Sequence, residues 1–386
     1  MNDLRVVVVG GGIGGLSAAI ALRACGFDVE VYERADELRP IGAGICMWPN
    51  GAKAANALGL EADLDRRSPE LDAVRYHRHD GSQTGEVGCG RLVEASGTRP
   101  YPLARSDLHD ALLNALGHDV PLHLGMECVD VHQDADSATV VFADGSAATA
   151  DVVVAADGVW SLIRSKVVPA ARLRYLYSTW LTLLDSSHGL TDPHVFSFYS
   201  GPTQRVGALP VSDERVYVFL DAPVAEHWSP DAGAGRQLNE LFGGWGGPVG
   251  NILGRLDDAG VTRLAVCDLD PLESFVAGRV VLIGDAAHAT APTLGQGGAL
   301  AMEDAVVLAR YLNTITVSID AALARYDSAR RARAQPIVMA ARARARSMVH
   351  GAPPEVDEQH ELVRAAAAPE AFMSVLETIA VSGPFG

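Results

Sequence analysis

Four consecutive β-branched residues, Val6 to Val9, run directly into five glycines within six positions, after which the apolar spacing changes. An unbroken apolar run of this kind predicts a parallel strand buried on both faces. Leu16, Ala19, Ile20 and Arg23 follow at helical spacing, Gly26 is placed to end the helix, and Asp28 to Tyr32 reads as the next strand. The strand-to-turn switch recurs in "ADVVVAADGVWSLIR" (150–164) and in "GRVVLIGDAAHATAPTLGQGGALAMEDAVVLARYL" (278–312). The last of these ends its strand at Gly284-Asp285, passes a proline-containing loop, and opens a long apolar helix at Gly295-Gln296-Gly297-Gly298. Elsewhere the apolar residues alternate, as in "HVFSFYS" and "RVYVFLDAP", which predicts a mostly antiparallel sheet from about 76–99 and 166–269. "ALARYDSARRARAQPIVMAARARARSMV" (322–349) predicts a helix with its arginines on a solvated or interdomain face. "GAPPE" (351–355) breaks it, and a final helix leads to "VSGPFG".

The glycines carry the first chemical statement. Gly10, Gly12 and Gly15 fit GxGxxG between a strand and a helix. The first glycine allows a tight turn, the second lets backbone N–H groups approach a pyrophosphate, and the third lets helix and strand pack closely. The helix N-terminus adds about half a positive charge toward phosphate. Glu33 closes the segment 18 residues past Gly15, where a carboxylate can accept hydrogen bonds from both ribose hydroxyls. The expected ligand is an adenine dinucleotide. Asp285, at a strand's carboxyl end, suits the sugar-alcohol chain of a flavin, and the Gly295–Gly298 backbone can approach the ring.

Composition narrows the classes. At 386 residues the chain can bury a large core in two units, and 48% hydrophobic with 20% charged residues describes a globular protein. A formal charge of −17 argues against nucleic acid as a partner. No apolar run approaches the roughly 18 residues that cross a bilayer, so no membrane partner is expected. Five scattered cysteines without a CxxC pair predict reduced thiols in a cytoplasmic protein, and the twelve histidines form no metal-ligand cluster. Neither internal repeats nor low-complexity segments are present.

The three motifs, in this order and spacing, resemble the single-component, class A FAD-dependent aromatic hydroxylases. The resemblance implies an α/β fold in which a Rossmann-like FAD domain, of the p-hydroxybenzoate hydroxylase type, interleaves with an antiparallel substrate sheet and is followed by C-terminal helices. FAD would occupy residues 1–75, 100–165 and 270–345, substrate 76–99 and 166–269, and 346–386 would form a helical tail. Asp157-Gly158 looks like the motif serving both FAD and NAD(P)H, and Arg105 falls where the family has an arginine contacting FAD. The cofactor-binding set on this reading is Gly10, Gly12, Gly14, Gly15, Glu33, Arg34, Cys46, Arg105, Cys128, Asp157, Asp285, Gly295, Gly297 and Gly298. No second GxGxxG is present, which matches a family whose NADH or NADPH binds only transiently. The implied reaction passes hydride to FAD, forms a flavin hydroperoxide with dioxygen, and hydroxylates an electron-rich aromatic or heterocyclic small molecule. A non-redox binding protein of the same fold is the reading that the intact Gly284-Asp285 and Gly295–Gly298 segments argue against. Oligomeric state is not legible.

Across its length the chain looks most like the bacterial FAD-dependent urate hydroxylases, in "MWPNGAKAANALGL", "GRVVLIGDAAHATAPTLGQGG", "AMEDAVVL" and "SGPFG". Those enzymes use an arginine and a tyrosine twelve residues apart, which the resemblance maps onto Arg205 and Tyr217 as catalytic residues. Hairpin geometry bears on the pair independently. If "SDE" (212–214) turns about Asp213, residues whose numbers sum to 426 face each other. Leu209 then opposes Tyr217, with Arg205 on the same face about 13 Å along at roughly 3.3 Å per residue. Substrate contacts expected from the resemblance are Arg205, Thr179, Trp180 and Pro292. Thr179 stands where the urate hydroxylases place an asparagine, and one hydroxyl replaces an amide's donor and acceptor faces. His288, in "GDAAHAT", is read as holding its loop.

Overall fold

The computed structural model describes residues 4–38, 43–185, 191–226, 233–256, 260–314, 318–350 and 372–385. "GAPPE" (351–355) lies outside them.

The apolar run Arg5–Val9 is a central strand of a six-stranded sheet, between Asp28–Tyr32 and Val152–Ala155, both parallel to it. Val280–Leu282 continues the parallel set beyond Val152–Ala155, and Leu122–His123 flanks the other side. Only the edge strand Val276–Ala277 runs antiparallel. Val6, Val7, Val8 and Val9 are all buried, as a strand with both faces covered requires. The helix Ile13–Ala24 packs against this sheet and ends before Gly26, whose φ of +83° suits glycine. The strands Arg5–Val9, Val152–Ala155 and Val280–Leu282 point their carboxyl ends the same way, so the three glycine-rich turns meet at one edge, where open parallel sheets bind ligands.

A seven-stranded sheet lies beside it. Its order is Thr262–Leu269, Leu173–Asp185, Arg215–Ala222, Arg205–Pro210, Val195–Ser200, Ala73–Arg78 and Gln83–Gly88, antiparallel except where Val195–Ser200 meets Ala73–Arg78. The sheet therefore begins at Ala73, just inside the stretch 1–75 read as FAD-binding, and the helix Ile319–His350 runs on past 345. The observed register pairs Leu209 with Tyr217 and Arg205 with Asp221, the sum of 426 that the turn at Asp213 requires. Parity then sorts the side chains. Trp180, Val206, Ala208, Val218 and Leu220 build a second core, capped by Leu238, Phe242, Val249 and Ile252 of two short helices. Arg205, Gly207, Leu209, Tyr217, Phe219 and Asp221 share the opposite face.

The helix Ile319–His350 crosses both units, and several of its arginines are buried, while Arg325 is solvated. Arg330, Arg342 and Arg344 are buried. Arg342 grips Asp268 through Nε (2.6 Å) and Nη2 (2.9 Å) and reaches Asp270 through Nη1 (2.9 Å), tying the helix to the strand Thr262–Leu269. Among the described residues no helix is long and apolar enough to cross a membrane.

Candidate active site

The phosphate turn is shaped by backbone proximity. A side chain on Gly10 would place its Cβ 2.3 Å from the Ala156 carbonyl oxygen, and one on Gly15 would meet the Gly10 oxygen at 1.8 Å. Gly10 also has φ of +111°. Gly12 differs: nothing lies within 4 Å of its Cβ position, and the helix it precedes has no side-chain cap. Its first N–H groups are thus left for an external acceptor. Glu33 is engaged by the chain itself, accepting from Gly11 N–H (2.6 Å) and Ala35 N–H (2.9 Å), so each carboxylate oxygen keeps one lone pair for a sugar hydroxyl. Arg34 is exposed beside it. The buried His109 ring hydrogen-bonds the Gly11 carbonyl at 3.0 Å and steadies the turn from the helix that Arg105 opens.

The second and third turns are stitched together by a residue outside the expected set. Arg164 donates to the carbonyls of Val159 (2.6 Å), Ala286 (3.2 Å) and Asp285 (3.3 Å), holding the Asp157 turn against the Asp285 turn. Asp157 accepts from Ile163 N–H at 3.1 Å through one oxygen, and its other oxygen is buried without a partner among the described residues. Burial pushes this carboxyl up, against hydrogen bonds from Ser161 and Ile163. A buried acceptor left open this way is a place for a ligand hydroxyl. Gly284, at φ of +56°, donates its N–H to Asp304 (2.8 Å), and Asp304 also binds the His288 ring (2.6 Å). His288 therefore holds the loop. Gly14 packs toward Ala301, and a Cβ on Gly298 would lie 2.9 Å from Ile45. The chain thus fits FAD by open N–H groups, an unpaired acid and turns that only glycine permits.

Cys46 is buried and its thiol is pushed well up by burial. Cys128 rises to about 11, chiefly by burial with the Asp157 charge adding. Neither offers a thiolate near neutral pH.

The strand Gly44–Met47 separates the flavin loop from the seven-stranded sheet. Ile45 touches Gly298 on one side, and Gly44 lies under Tyr217 on the other, where a Cβ would meet the ring at 2.4 Å. Beyond it, Phe219 lies flat over Gly207, whose Cβ position is 2.1 Å from the ring. Phe219 and Phe198, their ring centroids 6.1 Å apart, lie side by side against the Arg205 guanidinium at 4.8 and 5.5 Å. Phe372, from the helix Phe372–Val381, contacts Phe198, Trp48 and the Arg344 guanidinium at 5.7, 5.5 and 5.0 Å. Trp48 in turn leans on Gly295. A continuous aromatic wall joins the flavin loop to Arg205. Burial, reinforced by the Asp221 charge and opposed by Arg205 and Arg105, pushes the Tyr217 hydroxyl above its ordinary range, so it stays protonated. Arg344 falls to about 10 through burial and the neighbouring Arg205.

Arg205, Tyr217 and Thr179 meet on one face: Thr179 and Arg205 both pair with Asp221. Trp180 does not join them. As the next residue along the strand after Thr179 it points into the second core, with Arg263 5.5 Å above its ring. Its expected substrate contact is corrected by the pleat. Pro292 is exposed at the start of a short 3₁₀ turn that Thr293 anchors to Ala341 through a 2.7 Å bond. Asp221, Tyr177, Phe198, Phe219, Arg344 and Phe372 were missed. Asp221 was within reach, since the sum of 426 pairs it with Arg205.

A family model described as FAD binding domain matches residues 3–341. The FAD-dependent urate hydroxylase of Mycolicibacterium vanbaalenii is 38% identical over 359 residues, 92% of this chain and 90% of that protein. The 3-amino-4-hydroxybenzoate 2-monooxygenase of Streptomyces cremeus is 34% identical over 369 residues, covering 94% of this chain and 92% of that one. The crystal structure of Klebsiella pneumoniae HpxO complexed with FAD and uric acid superposes with a TM-score of 0.88 at 34% identity, over 99% of this chain and 98% of that chain. Fold, turns and likeness define a flavoprotein oxygenase. The chain belongs to the FAD-dependent aromatic hydroxylase family and is an FAD-dependent monooxygenase.

Gly12→Ala tests the phosphate turn. The protein has room for the methyl group and Gly12 has an ordinary φ of −79°, so melting of the cofactor-free protein should not move. FAD affinity should fall about tenfold or more, because the methyl enters the pyrophosphate's approach. Fluorescence titration of the apoprotein with FAD measures it, and unchanged affinity would place the phosphates elsewhere.

Proposed function

We propose that this monooxygenase hydroxylates urate, or a purine-like heterocycle of the same flat shape and charge, using NADH or NADPH as donor. The observation that carries the reading is Arg205 set over two neighbouring aromatic rings on the face it shares with Tyr217 and Thr179. Bound FAD supplies the redox chemistry and the activation of dioxygen. The chain supplies the rest. Arg205 pairs with the ionised ring and lowers the pKa at which the substrate becomes an anion, which favours attack by an electrophilic oxygen. Tyr217, kept protonated, donates a hydrogen bond that orients the ring or carries a proton. Phe198, Phe219 and Phe372 exclude water from the space between Arg205 and the flavin loop. Cys46, Arg105, Asp157, Asp285 and Gly295–Gly298 belong on this reading to the FAD side.

Thr179 favours a second reading, a phenol or another heterocycle, because a hydroxyl cannot present the two faces of an amide. NADH and NADPH consumption with urate and with 3-amino-4-hydroxybenzoate separates the two. Urate should accelerate cofactor oxidation several-fold, with hydroxylated product formed in place of hydrogen peroxide. Acceleration by the benzoate alone would move the assignment to the second reading.

A further inference from the structure

We propose that Asp221 is the positioning residue that sets the Arg205 guanidinium for substrate, an inference that rests on the reading of Arg205 above. The two side chains face each other across the hairpin and are 5% and 1% exposed. One carboxylate oxygen, Oδ2, accepts from Arg205 Nε at 3.0 Å and from Nη2 at 2.5 Å. That occupies one edge of the guanidinium and fixes its place over Phe198 and Phe219. Nη1 remains. Its neighbour is the Met348 thioether sulfur at 3.9 Å, a weak acceptor that a substrate oxygen readily replaces.

The carboxylate is not there for comfort. Asp221 Oδ1 is buried with no hydrogen-bond partner among the described residues, and so is the nearby Tyr177 hydroxyl, whose pKa burial and the Asp221 charge both raise. A buried ion pair with such open valences is poor stabilisation compared with apolar side chains of similar volume. It does orient. A planar guanidinium held along one edge has little freedom left, so binding substrate through the other nitrogen costs little further ordering. Thr179, on the far side of Asp221, stands in the same cross-strand row on the neighbouring strand.

Two variants of the FAD-loaded enzyme test this, with urate as probe and the flavin absorbance change as readout. Asp221→Glu keeps the charge and moves the carboxylate by one methylene. It should weaken urate binding about tenfold, whereas a staple serving only the sheet would leave the affinity of the folded protein unchanged. Asp221→Asn should do the same in the native background. Combined with Arg205→Gln it should add nothing beyond Arg205→Gln alone, because a residue acting through another is silent once that other is gone. Equal factors in both backgrounds, or urate affinity within twofold of the parent in Asp221→Glu, overturns the proposal. Should Arg205→Gln itself leave urate affinity unmoved, the substrate reading fails instead. A crystal structure of Asp221→Glu then decides the positioning role alone. A guanidinium shifted from its place over Phe219 supports it, and an unmoved one ends it.

Discussion

Arg205→Gln is expected to weaken urate binding by about 10- to 150-fold, the equivalent of about 1.5–3 kcal/mol for a hydrogen bond to a charged group, while the protein remains yellow with FAD. The two halves of this expectation come from different observations. Weak binding follows because Arg205 is the cation seated over Phe198 and Phe219 on the face it shares with Tyr217. Glutamine offers one amide in place of a charged fork. FAD is retained because the strand Gly44–Met47 stands between that sheet and the flavin loop, with Ile45 against Gly298 and Gly44 under Tyr217. Cofactor oxidation should continue while the share of electrons lost to hydrogen peroxide rises, since a loosely held ring is hydroxylated less often per turnover. Thermal melting should also fall, because Asp221 loses its cation in a buried place, a loss of about 3–5 kcal/mol. Simultaneous titration of urate, peroxide yield and FAD content reads all three. Loss of FAD from this variant would show that Arg205 serves the cofactor.

What was legible from the residues alone was whatever a short-range rule governs. The turns at Gly10, Gly158 and Gly284 each adopt positive φ, a requirement written locally as glycine after an apolar strand, and Gly295 does so at the end of a short 3₁₀ turn. The hairpin register followed from the position of one turn, because strand pairing is a rigid two-residue arithmetic. The same arithmetic should have excluded Trp180, since Thr179 and Trp180 are neighbours on a strand and cannot share a face. It should also have paired Asp221 with Arg205. Arg344 and Phe372 were not legible. They reach the site from segments distant in sequence, and "ARARARS" reads locally as a solvated helix face because nothing within it records that the helix crosses between two units. Arg164 sat inside a recognised motif, but its role, binding three carbonyls across two turns, exists only once those turns are brought together.

Arg330→Met is expected to destabilise the enzyme by about 3–5 kcal/mol and to release FAD, although Arg330 lies outside the expected cofactor set. Its side chain is 1% exposed and binds Asp304 through Nε (2.6 Å) and Glu303 through Nη1 (2.8 Å), both fully buried. Arg333 and Asn50 also hold Glu303, and Asn50 holds Gln296 at 2.9 Å, at the start of the helix that carries Gly297 and Gly298. Asp304 meanwhile pins Gly284 and His288. One guanidinium thus supports both turns that face the flavin, and methionine would fill its volume while leaving two carboxylates to Arg333 and His288. Burial works to raise both acids, but Arg330 and Arg333 outweigh it at Glu303, as His288 and Arg330 do at Asp304, so both are held below their ordinary values. A depressed folded-state pKa contributes stability above the unfolded value, which is lost as pH falls through the folded one. The parent enzyme should therefore keep its guanidinium-chloride midpoint from neutral pH down to about pH 5, and lose it steeply below about pH 4, where the unfolded carboxylates begin to bind protons. In Arg330→Met the acids lose the one counter-charge they share, their folded pKa values rise, and the acid limb should move to higher pH. A variant whose midpoint falls by less than about 1 kcal/mol equivalent, with FAD retained and the acid limb unmoved, would show that the network is held by Arg333 and His288 without it.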